Sequence, residues 1–414
     1  MNKEQQNVSE VDLVAVTGCN TRAKTSSNGG GEPIPLDLIV EICLRLPAKS
    51  ISRCRCVSKL WASIPRLPYF TELFLTRSLA LPKILFACRK DSHVFFFSSP
   101  QPHQILADDN NSPVLAANYL MKIPYYYINS FESCSSVRGL MFLGDVRISE
   151  GNVSVICNLS TGQSLTLPEP KTSKRMGTRS YLGYEPIEKQ YKVLSMTWEY
   201  NYGHTEACEE HQVLTLGTRE PSWRMIKCCT PYLLYHEYNH VCIDGVLYYQ
   251  AFSTFTSQCM VVLFDLKSEK FRFVKDTGYS HLINYNGKLG SLWSHEWNYR
   301  INGSCTSIKL RVLQDVEKHE WSEHIYQLPA FWSNTVGSST SLRVVGVTRT
   351  NEIVFSFSYI EKPFYVFYYN TERNTIRRIE IKGLECSSVL YESMKTFGGT
   401  RLVCKTLGEA VRMK

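Results

Sequence analysis

The sequence predicts an α+β protein that is mainly β: three short helices near the N-terminus, then a β-propeller-like domain of about six blades. Three observations carry this. Helical periodicity is confined to about thirty residues after Ile34 and all but vanishes beyond Leu81. Short runs rich in Val, Ile, Phe and Tyr, punctuated by turn residues, fill the rest. Those runs recur at a nearly regular spacing, the mark of a repeat architecture.

Before Ile34 the chain is polar and ends in Ser26–Gly31, too poor in apolar groups to offset the entropy of ordering, so residues 1–32 read as a disordered tail. No Gly-Lys-Ser/Thr follows the three glycines, which excludes a phosphate loop. With 43% hydrophobic and 20% charged residues among 414, the remainder can bury a substantial core. No apolar run approaches the ~18 residues that span a bilayer, and Met1–Asn20 lacks the apolar centre of a signal peptide. The expected setting is cytoplasm or nucleus, with no membrane partner. The 15 cysteines, odd in number and scattered, read as reduced, and the Asn-x-Ser/Thr sequons at Asn7, Asn110, Asn152, Asn158 and Asn302 then carry no meaning. A net charge of +8, spread along the chain, gives no nucleic-acid footprint.

The helices follow. Pro35 suits a first helical turn, Asp37 and Glu41 favour its positive end, and Pro47 stops it after Leu46. A second helix runs from about Ser50 to Arg55, and a third from about Val57 through Trp61 into Ile64, where Pro65 and Pro68 break it. Leu36, Leu38, Ile39, Val40, Ile42, Cys43, Leu44 and Leu46 make the first helix apolar nearly all round, more than one surface stripe needs. Some thirty residues are too few to sustain themselves alone. The excess must be covered either by the rest of this chain or by a second protein.

In the β region a strand, a polar turn and a second strand recur around Asn158, Gly217, Asp265, Asp315 and Asn370, spaced by 59, 48, 50 and 55 residues. Each is preceded by another hairpin, two of them closed by Asp244-Gly245 and Asn286-Gly287, dipeptides suited to a tight hairpin turn. Four antiparallel strands in about fifty residues is one propeller blade. Five such units are legible, and Lys83–Leu106 reads as a degenerate first one. A pair of β-sandwiches is the competing arrangement.

The helical stretch Ile34–Ile64 resembles the F-box, in Ile34-Pro35, Leu38, Glu41-Ile42, Leu44, Leu46-Pro47, Ile51 and the Val57–Trp61 ending; a Cys-Lys usual near the third helix is Ser58-Lys59 here. The β region resembles the plant F-box-associated domain, type 3, in CIDGVLYY, VVLFDLKSEKFRF, YKVLSM and LINYNGKLG. This divides the chain into a polar tail (1–32), an F-box (33–78), an F-box-associated propeller (79–395) and a C-terminal strand and tail (396–414). The resemblance implies a substrate-recognition subunit of a Skp–cullin–F-box ubiquitin ligase, not an enzyme, with no cofactor. Pro35, Leu38, Ile42, Leu46, Pro47, Val57 and Trp61 would meet the Skp-type adaptor, which bridges to a cullin and a RING subunit. Arg45, Lys49, Arg53, Arg55 and Lys59 outnumber Asp37 and Glu41, a surplus suited to an acidic adaptor. The propeller would bind a protein substrate for ubiquitination. The alternative is a propeller enzyme or ligand-binding protein whose helices cap the ring; a subunit that binds the adaptor without ubiquitinating anything is a third reading.

Loops joining second to third strands emerge on one ring face and are rich in aromatics, in Thr197–His211, Phe252–Cys259 and Ser294–Cys305. Trp198, Tyr200, Tyr202, Trp297, Tyr299 and Arg300 are therefore candidates for a recognition face, since Trp, Tyr and Arg are enriched at hot spots; the other reading is that they fill gaps between blades. His204, Cys208, His211 and Cys228-Cys229 lack the paired spacing of a structural zinc site, so no metal is expected. There is no nucleophile elbow and no metalloprotease helix, and the basic run Lys171, Lys174, Arg175, Arg179 reads as a solvated loop.

Overall fold

Asn158, Asp265, Asp315 and Asn370, the residues that mark the sequence repeat, do the same job in the structure. The side-chain oxygen of each accepts backbone N–H groups two or three residues on, from Ser160 and Thr161, Ser268, Glu317 and Lys318, and Glu372 and Arg373. Four residues after each comes a position of positive φ: Gly162, Glu269, His319 and Asn374. The repeat is thus a recurring side-chain-capped turn between the two outer strands of a blade. These facts come from a computed structural model that describes residues 34–46, 48–54, 56–80, 83–90, 93–101, 113–124, 134–148, 151–171, 176–201, 204–205, 207–208, 210–218, 220–234, 240–276, 278–294, 296, 301–338, 340–357, 363–384 and 403–407.

Six antiparallel sheets form a six-bladed propeller. The second to sixth blades each have four main strands taken in chain order, beginning at Cys134–Val137, Met176–Glu185, His240–Ile243, His281–Tyr285 and Ser341–Val347; Tyr232–Leu234 adds to the fourth, and Ile301–Asn302, which lies in sequence within the fifth, adds to the sixth. The first is a composite. Lys83–Lys90, His93–Pro100 and Asn118–Pro124 come from one end of the chain, and Val403–Leu407 from the other, pairing antiparallel with Lys83–Ala87. The innermost strands touch in a closed cycle, from Val403–Leu407 through those five and back. Lys83–Leu106 therefore does open the first blade, as expected. The intervening segment Val114–Ala116 leaves that blade and pairs in parallel with Glu380–Lys382 on the outer edge of the sixth.

Hairpin turns follow the sequence closely. Asp244-Gly245 and Asn286-Gly287 both take positive φ at both residues, as does Arg138-Gly139, whose arginine gave no such signal. Blades are tied by buried polar contacts as well as apolar ones. Lys192 of the third blade donates to the Leu266 carbonyl at 2.7 Å and to Glu269 at 3.1 Å, while Arg224 grips the same carboxylate with two 2.7 Å bonds. Trp223 and Trp321, on outer segments of the third and fifth blades, each donate an indole N–H to a backbone carbonyl of the preceding blade, Pro168 and Lys275. Between third and fourth blades His211 Nε2 lies 2.7 Å from the Tyr232 hydroxyl, itself 2.7 Å from that of Tyr249.

Two expectations are corrected. Cys88, on Lys83–Lys90, is disulfide-bonded, whereas Cys43, Cys157 and Cys208 are thiols; spacing along a chain carries no information about a pair that only tertiary structure assembles. The helical segment also does not end at Pro68. Helices α1 (Leu36–Arg45), α2 (Ala48–Cys54) and α3 (Lys59–Ser63) are followed by α4 (Pro68–Ala80). Pro68 is its first residue, where a missing N–H costs nothing. Among the described residues no helix is long and apolar enough to cross a membrane.

Removing residues 403–414 will leave the first blade without its inner strand and the ring open. Calorimetry should show the cooperative unfolding transition of the intact chain broadened and shifted down by several degrees or more. A pH effect is also expected. Burial lowers the pKa of both His211 and His281 to about 4, from an unfolded value near 6.5. Both are neutral when folded, so between those values the unfolded chain binds more protons and stability falls on acidification. Each histidine contributes about 2 kcal/mol of loss between pH 7 and 5. Urea titrations should show that loss reduced by this amount in His211→Asn.

Candidate functional site

The apolar excess of α1 is divided between two faces. Ile39, Val40 and Cys43 are buried with Ile51 and Ile64, and the cover missing from three helices is provided by Phe70 and Phe74 of α4, stacked with ring centres 6.0 Å apart. Leu46 and Trp61, expected at the docking surface, are partly buried against this small core instead. Burial also pushes the Cys43 thiol up. The other face is open. Leu38 is 55% exposed, Ile42 41% and Val57 66%, with Ile34 and Leu60 exposed as well. Pro35, exposed, precedes the first turn of α1 and accepts N–H groups from Leu38 and Ile39 on its carbonyl. Pro47 lies outside the described residues.

Local interactions hold this face rigid. Ser58, the departure from the usual cysteine, caps α3 by accepting the Trp61 N–H at 3.3 Å. Glu41 accepts hydrogen bonds from Arg45 at 2.8 Å and Arg77 at 3.2 Å, which hold its carboxyl below the usual range and tie α1 to α4. Sequence reasoning missed Leu60, Tyr69 and Leu73 as exposed apolar residues. For the last two the helix that carries them was not anticipated.

Among the described residues an ion pair joins the helical domain to the ring: Glu72 of α4 meets Lys189 in the turn joining the first and second strands of the third blade. Strands alternate in direction, so this turn lies on the ring face opposite the loops that join second to third strands. The described parts of those loops therefore lie on the ring face away from the Glu72–Lys189 contact. Of the six residues expected there, Trp198 is half-buried: its indole lies against Gly177 across the strand pair, where a Cβ would come within 2.4 Å, and the Arg179 guanidinium is 5.8 Å from its ring centre. Tyr200 pairs with Thr205 in a short ladder. Tyr202, Trp297, Tyr299 and Arg300 lie outside the described residues. The loop that holds the last three is tied down at its end, where Ile301–Asn302 pairs with Ser341–Leu342 of the sixth blade and Trp332 donates to the Asn302 carbonyl.

One residue of this face was not singled out by sequence. Phe255 is 80% exposed at the tip of a turn whose N–H groups at Phe255 and Thr256 are both accepted by Ser253 Oγ, with positive φ at Ser257. Its geometry is that of the blade turns, with serine as the cap; a serine before Thr-Phe-Thr-Ser is the signal that was available. Among the described residues no group of three or more His, Cys, Asp or Glu could hold a metal ion. His211 is committed to Tyr232, and the Cys228 thiol donates to the Thr230 carbonyl.

The chain matches the family model described as F-box associated beta propeller domain over residues 83–400, and the F-box domain model over residues 33–73. It is 52% identical over 360 residues to F-box protein DOR of Arabidopsis thaliana, covering 85% of this chain and 89% of that one. It is 45% identical over 391 residues to F-box protein At5g65850 of the same plant, covering 92% and 93%. Among solved structures, apo AztD from Citrobacter koseri matches with a TM-score of 0.31 and 9% identity over 79% of this chain and 76% of that one, too loose a likeness to argue from.

The division of α1 into an inner and an outer face is directly measurable. Leu38→Gln and Ile42→Gln should each change the unfolding free energy by less than about 1 kcal/mol. Ile39→Ala and Phe74→Ala should each cost about 2–5 kcal/mol of helical-domain stability. Urea denaturation followed by far-UV circular dichroism separates the two classes.

Proposed function

This chain belongs to the F-box proteins that carry an F-box-associated β-propeller, and from that premise we propose that it is the substrate-recognition subunit of a Skp–cullin–F-box ubiquitin ligase. The observation that carries the reading is the outer face of the helical domain. Leu38 and Ile42 of α1, and Val57 in the turn before α3, stand exposed on a helical domain that already has a core of its own, and large apolar side chains bared in this way on a folded domain mark a protein interface. Had the helices served only to cap the ring, these residues would lie beneath its sheets.

In this reading a Skp-type adaptor covers Leu38, Ile42 and Val57, with Pro35 and Pro47 at the ends of α1, and brings cullin and RING subunit with it. Leu46 and Trp61 act from behind, as the packing that keeps the face in shape. The chain supplies no catalytic group: its contribution is to hold a substrate protein near the activated ubiquitin. Substrate would meet the aromatic face remote from the helices, where Trp198, Tyr200, Tyr202, Phe255, Trp297, Tyr299 and Arg300 lie in sequence on the second-to-third-strand loops. Cytoplasm and nucleus both suit this role.

Calorimetric titration of the full chain with a Skp-type adaptor tests the docking step. The wild type should bind, the triple variant Leu38→Gln, Ile42→Gln, Val57→Gln should lose at least about a hundredfold in affinity, and its thermal midpoint should stay near that of the wild type. Trp61→Ala should lose both affinity and midpoint, because it disrupts the small core. Unchanged affinity in the folded triple variant would overturn the reading.

A further inference from the structure

The apolar surface does not stop at α1 and α3. Tyr69, Glu72, Leu73 and Thr76 share the exposed side of α4 at helical spacing, opposite buried Phe70 and Phe74. This side adjoins the α1 face: Arg77, one residue beyond Thr76, reaches Glu41 at 3.2 Å. In the middle of this side, Glu72 pairs with Lys189 of the third blade. Two residues before Lys189 stands Ile187, 68% exposed and more open than any apolar residue of α1.

Ile187 is not at the tip of a floppy loop. The buried Glu185 carboxylate accepts the N–H groups of both Ile187 and Glu188, Pro186 packs over Gly245 of the next blade, and Lys189 closes the turn at a φ of 56°. A fixed turn that bares an isoleucine two residues from a lysine paired with α4, where Tyr69 and Leu73 are bare as well, is an interaction surface set in advance, with little ordering entropy left to lose on binding. The Glu72–Lys189 pair at its centre is exposed on both sides, and an exposed pair contributes little alone to holding two domains together.

We propose that the docking surface continues from α1 over α4 onto the Pro186–Lys189 turn, so that the Skp-type adaptor covering Leu38 and Ile42 also covers Tyr69, Leu73 and Ile187. The occupant follows from continuity: the ledge shares an edge with the α1 face, so a partner seated on one borders the other. Bridging both domains, the adaptor fixes the propeller's orientation and hence the direction in which substrate is presented. The proposal rests on the adaptor-docking function above, and the experiment keeps the two apart.

Full-length variants Ile187→Asp, Leu73→Asp, Leu38→Asp and, as a control on the outer strand of the fifth blade, Ile325→Asp are titrated with a Skp-type adaptor, each after its thermal midpoint has been matched to wild type. Ile187→Ala serves should the aspartate variant unfold. Ile187→Asp and Leu73→Asp are expected to weaken binding about tenfold each, Leu38→Asp to abolish it, and Ile325→Asp to leave it unchanged. If Ile187→Asp and Ile187→Ala bind within twofold of wild type while Leu38→Asp does not bind, the adaptor stops at the helices and this proposal falls alone. If Leu38→Asp binds like wild type, or wild type does not bind, the parent reading falls and takes this one with it.

Discussion

Everything the ring does depends on one pairing, between Val403–Leu407 and Lys83–Ala87, which brings together segments from opposite ends of the β region. Without it the first blade has three strands and an exposed inner edge, the configuration that sheets avoid because unpaired N–H and C=O groups recruit other chains. The entropy of closing so long a loop grows only logarithmically with its length, so a few strand residues can offset it once the intervening blades are stacked. Val114–Ala116 provides a second clasp by crossing to the outer edge of the sixth blade. First and last blades are thus joined at the inner rim and the outer rim alike.

A C-terminal strand was expected, but the partner of neither clasp was legible in the chain, and the reason is physical. A blade built from consecutive strands announces itself through its turns: Asn158, Asp265, Asp315 and Asn370 must be residues whose short side chains can cap the following N–H groups, so the repeat is written in residue types. The Arg138-Gly139 turn has the same backbone as Asp244-Gly245 but only its glycine hints at it. Val114–Ala116 is three residues long with exposed ends, and its partner is more than 260 residues away; nothing local distinguishes it from a loop. Pro68 misled for a different reason. Proline stops a helix from its interior and starts one from its first position, and only the buried Phe70 and Phe74 decide between these.

The functional face was half legible in the same sense. A count of apolar residues on α1 says that two sides need cover, and Leu38, Ile42 and Val57 are indeed on the uncovered side. The count cannot say which side the rest of the chain takes. Leu46 and Trp61, as apolar as Leu38, turn inward because α4 brings Phe70 and Phe74 to that side and leaves the other bare. Large aromatic residues look like anchors in a sequence, yet in this chain Trp61 and Trp198 are both packing residues to a large degree, and the most exposed aromatic among the described residues, Phe255, stands on a serine-capped turn.

That partition explains how a chain can carry an uncovered greasy face and still fold. A helical domain with no core of its own would be unstable until its partner arrived, and its exposed apolar groups would compete for contacts with other unfolded chains. With α4 in place the inner face is satisfied, and the outer one is a modest set of side chains held at fixed positions by the Ser58 cap and the Glu41 bridge to Arg45 and Arg77. A partner docking on that face would meet a surface already formed, and its affinity would not be reduced by the cost of folding the site. Rigidity carries further than the helices. The same capped turn that closes the outer hairpins also sets the Pro186–Lys189 turn, with glutamate as the cap, at the point where ring and helices touch. One local device, repeated, gives the blades their regular spacing and gives the junction between the two domains a fixed shape.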